Sequence, residues 1–483
     1  MATRTVVRSQ VRGFVLVWMM ITLLVGIATF FAIYVAYDVS SSRSDTTSPL
    51  SPNNDSAAVA AIPTSNATPV PTREIPPTVE PTPVPVVAAQ SANNETSQSS
   101  EESAQGSGGS EPSTEEEEAL PPIAQTEFTP GIQVQNSIDL NPEVQRAWMN
   151  DVRGLGLDTF KQQIRWSEIE LEPGEYDWGV LDLVMPIADE YGFNVVGSIV
   201  AAPDWAREEG VDLEEDGPPA DPQTFANFLT ALLERYPGQF HALEIWNETN
   251  LEREWASSRG ISAENYIDLL RVAYEMIKNI EPGIIVISGA PSPTGGFVDG
   301  GVVRAIDDFD YMDQMIAAGL LNYADCIGVH HNGYNVSPLY RWDEIPNDPD
   351  ALFRGPFDNP HHSWSFRSTL ETYANKIQVA GGDQQLCITE YGWASVEDMD
   401  GYPENFEFAV DNTLEEQAQF TAEALELMTT EWDFVWIAIL WNLNYGPQAG
   451  WSTTSDNTPY SLIGPEFSKR PAYTAIAEWA ANR

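Results

Sequence analysis

Two glutamates, 142 positions apart, carry the strongest chemical signal in this sequence. Glu248 ends the run FHALEIWNE (240–248), and Glu390 lies in QLCITEYGW (385–393). Each carboxylate therefore sits at the carboxyl end of a short apolar, strand-like segment. A pair delivered in this way suits hydrolysis of a glycosidic bond. One carboxyl group protonates the leaving oxygen and the other attacks the anomeric carbon, so both must be held rigidly on opposite sides of one bond. Either glutamate alone reads equally well as half of a surface salt bridge. The neighbours shift the balance: Asn247 puts an amide beside the first carboxylate, within reach of a sugar hydroxyl, and Thr389 and Tyr391 flank the second with polar groups.

Residues so far apart in sequence meet only in a fold that gathers many strand ends at one face. From Phe128 onward, short apolar runs alternate with helical patterns, which predicts repeated β-α units closing into a (β/α)8 TIM barrel of class α/β. Strands are expected at 131–135, 159–164, 194–200, 240–246, 284–288, 326–330, 386–389 and 434–440. Between them the 3.6-residue apolar period marks helices at 225–236, 263–280 and 414–430. The first helix starts at Asn141-Pro142, a capping residue followed by proline at the first helical position; the helix at 414 opens with a Thr413/Glu416 capping box. A doubly wound open sheet is the alternative, but no glycine-rich phosphate fingerprint follows the first strand. On this scheme Glu248 ends strand four and Glu390 ends strand seven.

The segments LEIWNETN (243–250) and ITEYGW (388–393) resemble the acid/base and nucleophile segments of clan A retaining glycoside hydrolases, families 39 and 5 being the nearest patterns. The resemblance implies a glycosidase with Glu248 as acid/base and Glu390 as nucleophile, acting on an oligo- or polysaccharide without a cofactor. It places Asn247 on the hydroxyl next to the anomeric carbon. Trp441 resembles the aromatic platform under the reacting sugar, although a core plug is the competing reading. The stretch beginning KQQIRWSE (161–168) resembles the second strand of family 39, where Arg usually stands in place of Lys161; either Lys161 or Arg165 would then face the nucleophile. HHNGY (330–334) resembles a His-x-Tyr element with two extra residues, so Tyr334 takes that role if the loop bulges, and otherwise His330 acts alone or packs in the core. Trp205, in Pro203-Asp-Trp205, resembles part of a substrate subsite, with a loop anchor as the alternative, and Trp393 joins the substrate-binding set.

The rest of the chain sets the context. Residues 1–13 carry Arg4, Arg8 and Arg12, and residues 14–37 hold no charge over a length sufficient for a bilayer-spanning helix. The positive-inside bias then puts the short N-terminus in the cytoplasm and the rest outside, as a single-pass cell-membrane protein; a cleaved signal peptide is the rival reading. Residues 38–127, rich in Ser, Thr, Pro and Glu, read as a disordered stalk that cannot bury enough apolar surface to order itself. Residues 128–483 form the barrel domain, expected to be monomeric. Of the net charge of −49, the stretch 39–127 accounts for little, with 13 acidic residues against two arginines. The acidic globular part argues against nucleic acid and favours a neutral glycan over a polyanionic one, expected to be β-linked as the resemblance implies. Cys326 and Cys387 read as neighbouring buried thiols. The histidines, with pairs at 330–331 and 361–362, show no zinc-ligand spacing in sequence, so no metal is expected.

Overall fold

The computed structural model describes residues 128–137 and 139–483. The expected cytoplasmic segment, membrane span and stalk at 1–127 lie outside the described residues. Among those described, no helix is long and apolar enough to cross a membrane.

Eight parallel strands form the core: β1 (Thr129–Gln133), β2 (Thr159–Arg165), β3 (Asn194–Val200), β4 (Ala242–Ile245), β5 (Ile285–Ser288), β6 (Ile327–Gly333), β7 (Leu386–Trp393) and β8 (Val435–Leu440). They are hydrogen-bonded in the order β6-β7-β8-β1-β2-β3-β4-β5. The ring closes where Ile287 of β5 meets Cys326, just before β6. The result is the eight-stranded barrel expected from the alternation of elements. The closing seam is thin for a local reason. A Cβ on Gly328 would fall 1.9 Å from the Ser288 carbonyl oxygen, so only glycine permits this approach, and the Gly328 N–H donates to Ser288 Oγ rather than to a carbonyl.

Helices α1 (Pro142–Gly154), α2 (Gly179–Tyr191), α3 (Pro222–Arg235), α4 (Ala263–Ile280), α5 (Asp308–Ala317), α6 (Phe366–Val379), α7 (Leu414–Thr430) and α8 (Pro471–Ala481) surround the ring. Their starts follow the local chemistry. Asn141 caps α1 by accepting from Glu143 N–H and Val144 N–H, and Thr413 with Glu416 forms the expected capping box on α7. Two small hairpins not visible in the sequence pattern, 170–176 and 297–305, decorate the loops after β2 and β5.

Side chains alternate across each strand, so residues two apart on one strand face the same way. Val196, Ala242, Ile285, Ile287, Cys326, Cys387, Ile437 and Ile439 make one small buried cluster. One step further along the same strand faces lie Ser198, Glu244 and Thr389, all fully buried. An apolar plug thus lies beneath a polar layer, and the active-site residues stand on that layer. Within the plug Cys326 and Cys387 are bonded as a disulfide with Cα atoms 5.8 Å apart, which corrects the reading of free thiols. The two parallel strands bring both Cβ atoms to the barrel interior within the range a disulfide can bridge.

Candidate active site

The chain leaves β4 through a strained turn. Trp246 (φ 76°) and Glu248 (φ 40°) both occupy the left-handed region, at a cost of about 1–2 kcal/mol for each L-residue. Packing fixes this turn: Trp246 N–H donates to Ile199 O at 2.9 Å, its indole N–H donates to Glu254 O at 2.9 Å, and its ring meets Phe225 and Trp255 edge-on. Glu390 lies within β7, paired in register with His330 of β6. That pairing carries β7 three residues past the glutamate, beyond the expected end at Thr389.

His330, buried, links the two carboxylates. Its Nδ1 lies 3.2 Å from Glu248 Oε1 and 3.8 Å from Glu390 Oε2, so those two oxygens are no more than about 7 Å apart, the sum of the two contacts. On its other side Nε2 lies 3.9 Å from Glu244 Oε1. Beneath the site Lys161, 1% exposed, sits 2.9 Å from Glu244 Oε2 and 3.5 Å from Glu390 Oε1 and donates to Thr389 O at 3.2 Å. Thr389 Oγ1 donates to Glu244 Oε1 at 2.5 Å. Lys161 and His330 thus stand among three carboxylates, each making contacts that its neighbour needs.

The charges follow from this geometry. Burial opposes the charged form of Lys161, but Glu244 and Glu390 raise its pKa overall. Burial likewise pushes Glu244 up, and Lys161 and His330 outweigh it and bring it down. For His330, burial works against the proton, while Glu390 and Glu248 hold it and raise the pKa. Burial pushes the Glu248 carboxyl up, yet the hydrogen bond and charge of His330, followed by Arg253, bring it down to about 2. His330 therefore holds a proton more readily, and Glu248 less readily, than the free side chains do.

The structure brings some of the sequence-expected residues together and not others. Lys161, Asn247, Glu248, His330 and Glu390 assemble at the carboxyl end of the strands. Asn247 is buried and its Oδ1 has no protein partner, as a group reserved for a ligand hydroxyl would show. Trp441 follows β8, packs 4.9 Å from Tyr445, and is joined to Asn442 by a cis peptide. Arg165 does not reach the nucleophile: its guanidinium pairs with Asp216 at 2.7 Å and lines a cleft of about 390 Å³ beside Gln135 and Tyr445. Tyr334 makes ring contacts with Phe353, Trp364 and Phe408, and no hydrogen bond from its hydroxyl to Glu390 is formed. Trp205 is tied by its indole N–H to Glu170 O and packs on Trp166, the loop-anchor reading. Trp393 cannot meet a substrate: it is 2% exposed, its N–H donates to Val336 O, and it packs against Phe366 and Phe420.

Sequence reasoning missed four residues. Glu244, four positions before Glu248, faces the barrel interior, and its only sequence signal was a charged residue in an apolar strand. Arg253 reaches Glu248 Oε2 at 3.1 Å and approaches Glu254 Oε1 at 3.6 Å. Burial and the nearby Glu248 raise Glu254 to about 7. Tyr460, pushed up mainly by burial, also feels both Glu390 and Glu248.

The eight-stranded (β/α)8 barrel is also the fold of solved glycoside hydrolases. A family 39 glycoside hydrolase from the gut symbiont Bacteroides cellulosilyticus WH2 aligns with a TM-score of 0.51 and 17% identity, over 73% of this chain and 63% of that one. The chain thus spans less than two thirds of that protein's length. GH5_18 from Streptomyces cattleya in complex with GlcNAc aligns with a TM-score of 0.50 and 15% identity, over 74% of this chain and 81% of that one. At these identities the likeness is one of fold. No family model and no curated protein matches the sequence.

Proposed function

We propose that the barrel is a retaining glycoside hydrolase that cleaves a neutral, β-linked oligo- or polysaccharide by double displacement. Glu390 attacks the anomeric carbon, and Glu248 protonates the leaving oxygen and later activates water. The observation that carries this reading is the shared contact of both carboxylates with His330 Nδ1, at 3.2 and 3.8 Å. Inverting enzymes hold their carboxyl groups about 6.5–9.5 Å apart and retaining ones about 5–5.5 Å, so an upper limit near 7 Å favours retention. Lys161, 3.5 Å away, holds the β7 carboxylate in place for attack. His330, whose pKa its carboxylate neighbours raise, lies 3.2 Å from Glu248 and is placed to hand it the proton it must donate. A sugar that displaces the exposed Arg253 side chain removes one of the influences that keep Glu248 ionised and lets the proton cross.

A neutral substrate fits the arrangement, because Lys161, Arg165 and Arg253 are each engaged by protein carboxylates. Transglycosylation by the same residues is the alternative within enzymology. A catalytically inactive carbohydrate-binding surface module is the alternative outside it, and the presence of both carboxylates weighs against that reading. Residues 14–37 are proposed to anchor the protein in the cell membrane with the barrel outside the cytoplasm, on the strength of their length, lack of charge and preceding arginines.

The test is rescue chemistry. Glu390→Gly is expected to abolish turnover of aryl glycosides, and azide to restore it with formation of the glycosyl azide of inverted configuration. Glu248→Ala is expected to spare substrates whose leaving groups need no proton. Absence of rescue with every activated glycoside that the unaltered protein hydrolyses would remove Glu390 from the nucleophile role.

A further inference from the structure

At the rim formed by the segments after β5 and β6, three side chains from separate parts of the chain converge. A nitrogen of His361, a nitrogen of His362 and a carboxylate oxygen of Asp307 all lie within 4.8 Å of one another. Asp307 precedes the histidine pair by more than fifty residues, so only the fold joins them.

We propose that Asp307, His361 and His362 form a binding site for a divalent transition cation of the zinc type, which ties the segment after β5 to the segment after β6. Two imidazoles and one carboxylate are a donor set that zinc takes in tetrahedral sites, with bonds of about 2.0–2.2 Å and room for a water as fourth ligand. Ligands on such an ion stand about 3.3 Å apart by that geometry. His361 Nε2 and Asp307 Oδ2 are 3.9 Å apart, so a shift of well under 1 Å closes the pair on an ion.

The supporting shell is already built. Asp307 commits Oδ1 to capping α5, where it accepts from Phe309 N–H and Asp310 N–H, and this leaves Oδ2 facing His361. His361 Nδ1 is 2.8 Å from Ser363 Oγ, which orients the ring. The His362 ring is clamped between Phe309, stacked at 3.6 Å, and the fully buried carboxylate of Asp308, whose oxygens lie 3.1 and 3.3 Å from Nε2. Asp308 is fixed in turn by Tyr373 Oη at 2.6 Å and by Thr294 N–H at 2.9 Å. An imidazole backed by a buried carboxylate is the usual outer arrangement of a metal-binding histidine.

Charge points the same way. Among the described residues neither Asp307 nor Asp308 pairs with a lysine or arginine; the histidines are their only basic partners. The positive end of the α5 dipole, worth about half a charge, opposes a cation, and the two carboxylates outweigh it.

The experiment is calorimetric titration of the full-length protein, freed of metal by chelation, with zinc chloride, alongside its thermal melting with and without zinc. One equivalent of zinc is expected to bind and raise the melting temperature, while magnesium does neither. Asp307→Asn keeps a good helix cap and removes the charge, and His361→Ala changes a half-exposed ring; each is expected to weaken zinc binding at least about tenfold. Failure of the protein to bind zinc overturns the proposal. So does zinc binding that both variants retain, which would place the ion elsewhere, for instance on His330 and the glutamates.

Discussion

Lys161→Met tests whether the polar layer beneath the site is held by its one lysine. The unaltered side chain is 1% exposed and compensates Glu244, which is 0% exposed, and Glu390, which is 7% exposed. Methionine is similar in length and introduces no charge, so the variant leaves Glu244 with the Thr389 hydroxyl as its nearest remaining donor. Removing one partner of a buried ion pair costs about 3–5 kcal/mol, because the remaining charge is stranded in a medium that solvates it poorly. The sign with pH follows from both shifts. Glu244 has a depressed pKa, so its contribution is present above its unfolded value near 4.3 and is lost as pH falls through the folded value. Lys161 has a raised pKa, so its contribution is complete below about 10.4 and is lost as pH rises through the folded value. The pair is therefore intact from about pH 5 to pH 10. In the variant the stranded carboxylate can relieve its own cost by taking a proton, so the deficit is expected to be largest near pH 8 and to shrink toward pH 5. Urea unfolding followed by tryptophan fluorescence at the two pH values measures it, and adding Glu244→Gln should return about 1–3 kcal/mol. A loss below about 1 kcal/mol at pH 8, or a deficit that does not change with pH, refutes the account.

Further outcomes follow from other contacts. Arg253→Ala removes a cation beside the Glu248–His330 pair and makes the pair's proton harder to lose, so the basic limb of the kcat/KM profile is expected to move to higher pH; an unmoved limb would show that this pair does not govern it. Replacing Cys326 and Cys387 by alanine opens a loop of 61 residues, for which the chain-entropy estimate is a loss of up to about 4 kcal/mol, read as a lower urea midpoint without change of fold. Protease treatment of intact cells is expected to release the barrel from the membrane fraction, whereas full-length protein free in the medium and beginning after Tyr37 would mark residues 14–37 as a cleaved signal.

The barrel was legible in the sequence because its elements carry local signals. β3 runs from Asn194 to Val200 as its apolar run predicts, and α4 and α7 begin where Ser262 and Thr413 cap them. Glu248 and Glu390 were legible for the same reason, since each ends or interrupts an apolar run. What stayed hidden depends on register between strands distant in sequence. The Cys326–Cys387 bond, the pairing of Lys161 with Glu244, and the meeting of Asp307 with His361 need the closed ring before they exist. Trp393 misled because an aromatic three residues past a catalytic strand end looks the same in sequence whether it faces the sugar or, as here, the helices. Arg165 misled by a similar route, because Asp216, on a loop with no periodic signal, captures it first.

The thin seam between β5 and β6 gives the ring the mechanics of a split washer. β2 and β3 are joined by seven register pairs and β6 and β7 also by seven, whereas β5 and β6 share one bridge. Only β1 and β2, with two register pairs, come near so few, so breathing motions should concentrate at that gap and at the β1–β2 seam across the ring from it. The disulfide lies on the β6 side of the gap and fastens β6 to β7, which confines the give to the β5 edge. Glu248 and Glu390 sit on either side of it, one on the β4 arm and the other on the β7 arm. Spreading these jaws would strain the bridge that Lys161 makes beneath the site, since it holds Glu244 on the β4 arm and Glu390 on the β7 arm. Amide exchange at Ser288, Cys326 and Gly328, whose N–H groups cross the gap, faster than at the β2–β3 pairs is the signature that such a spring would leave.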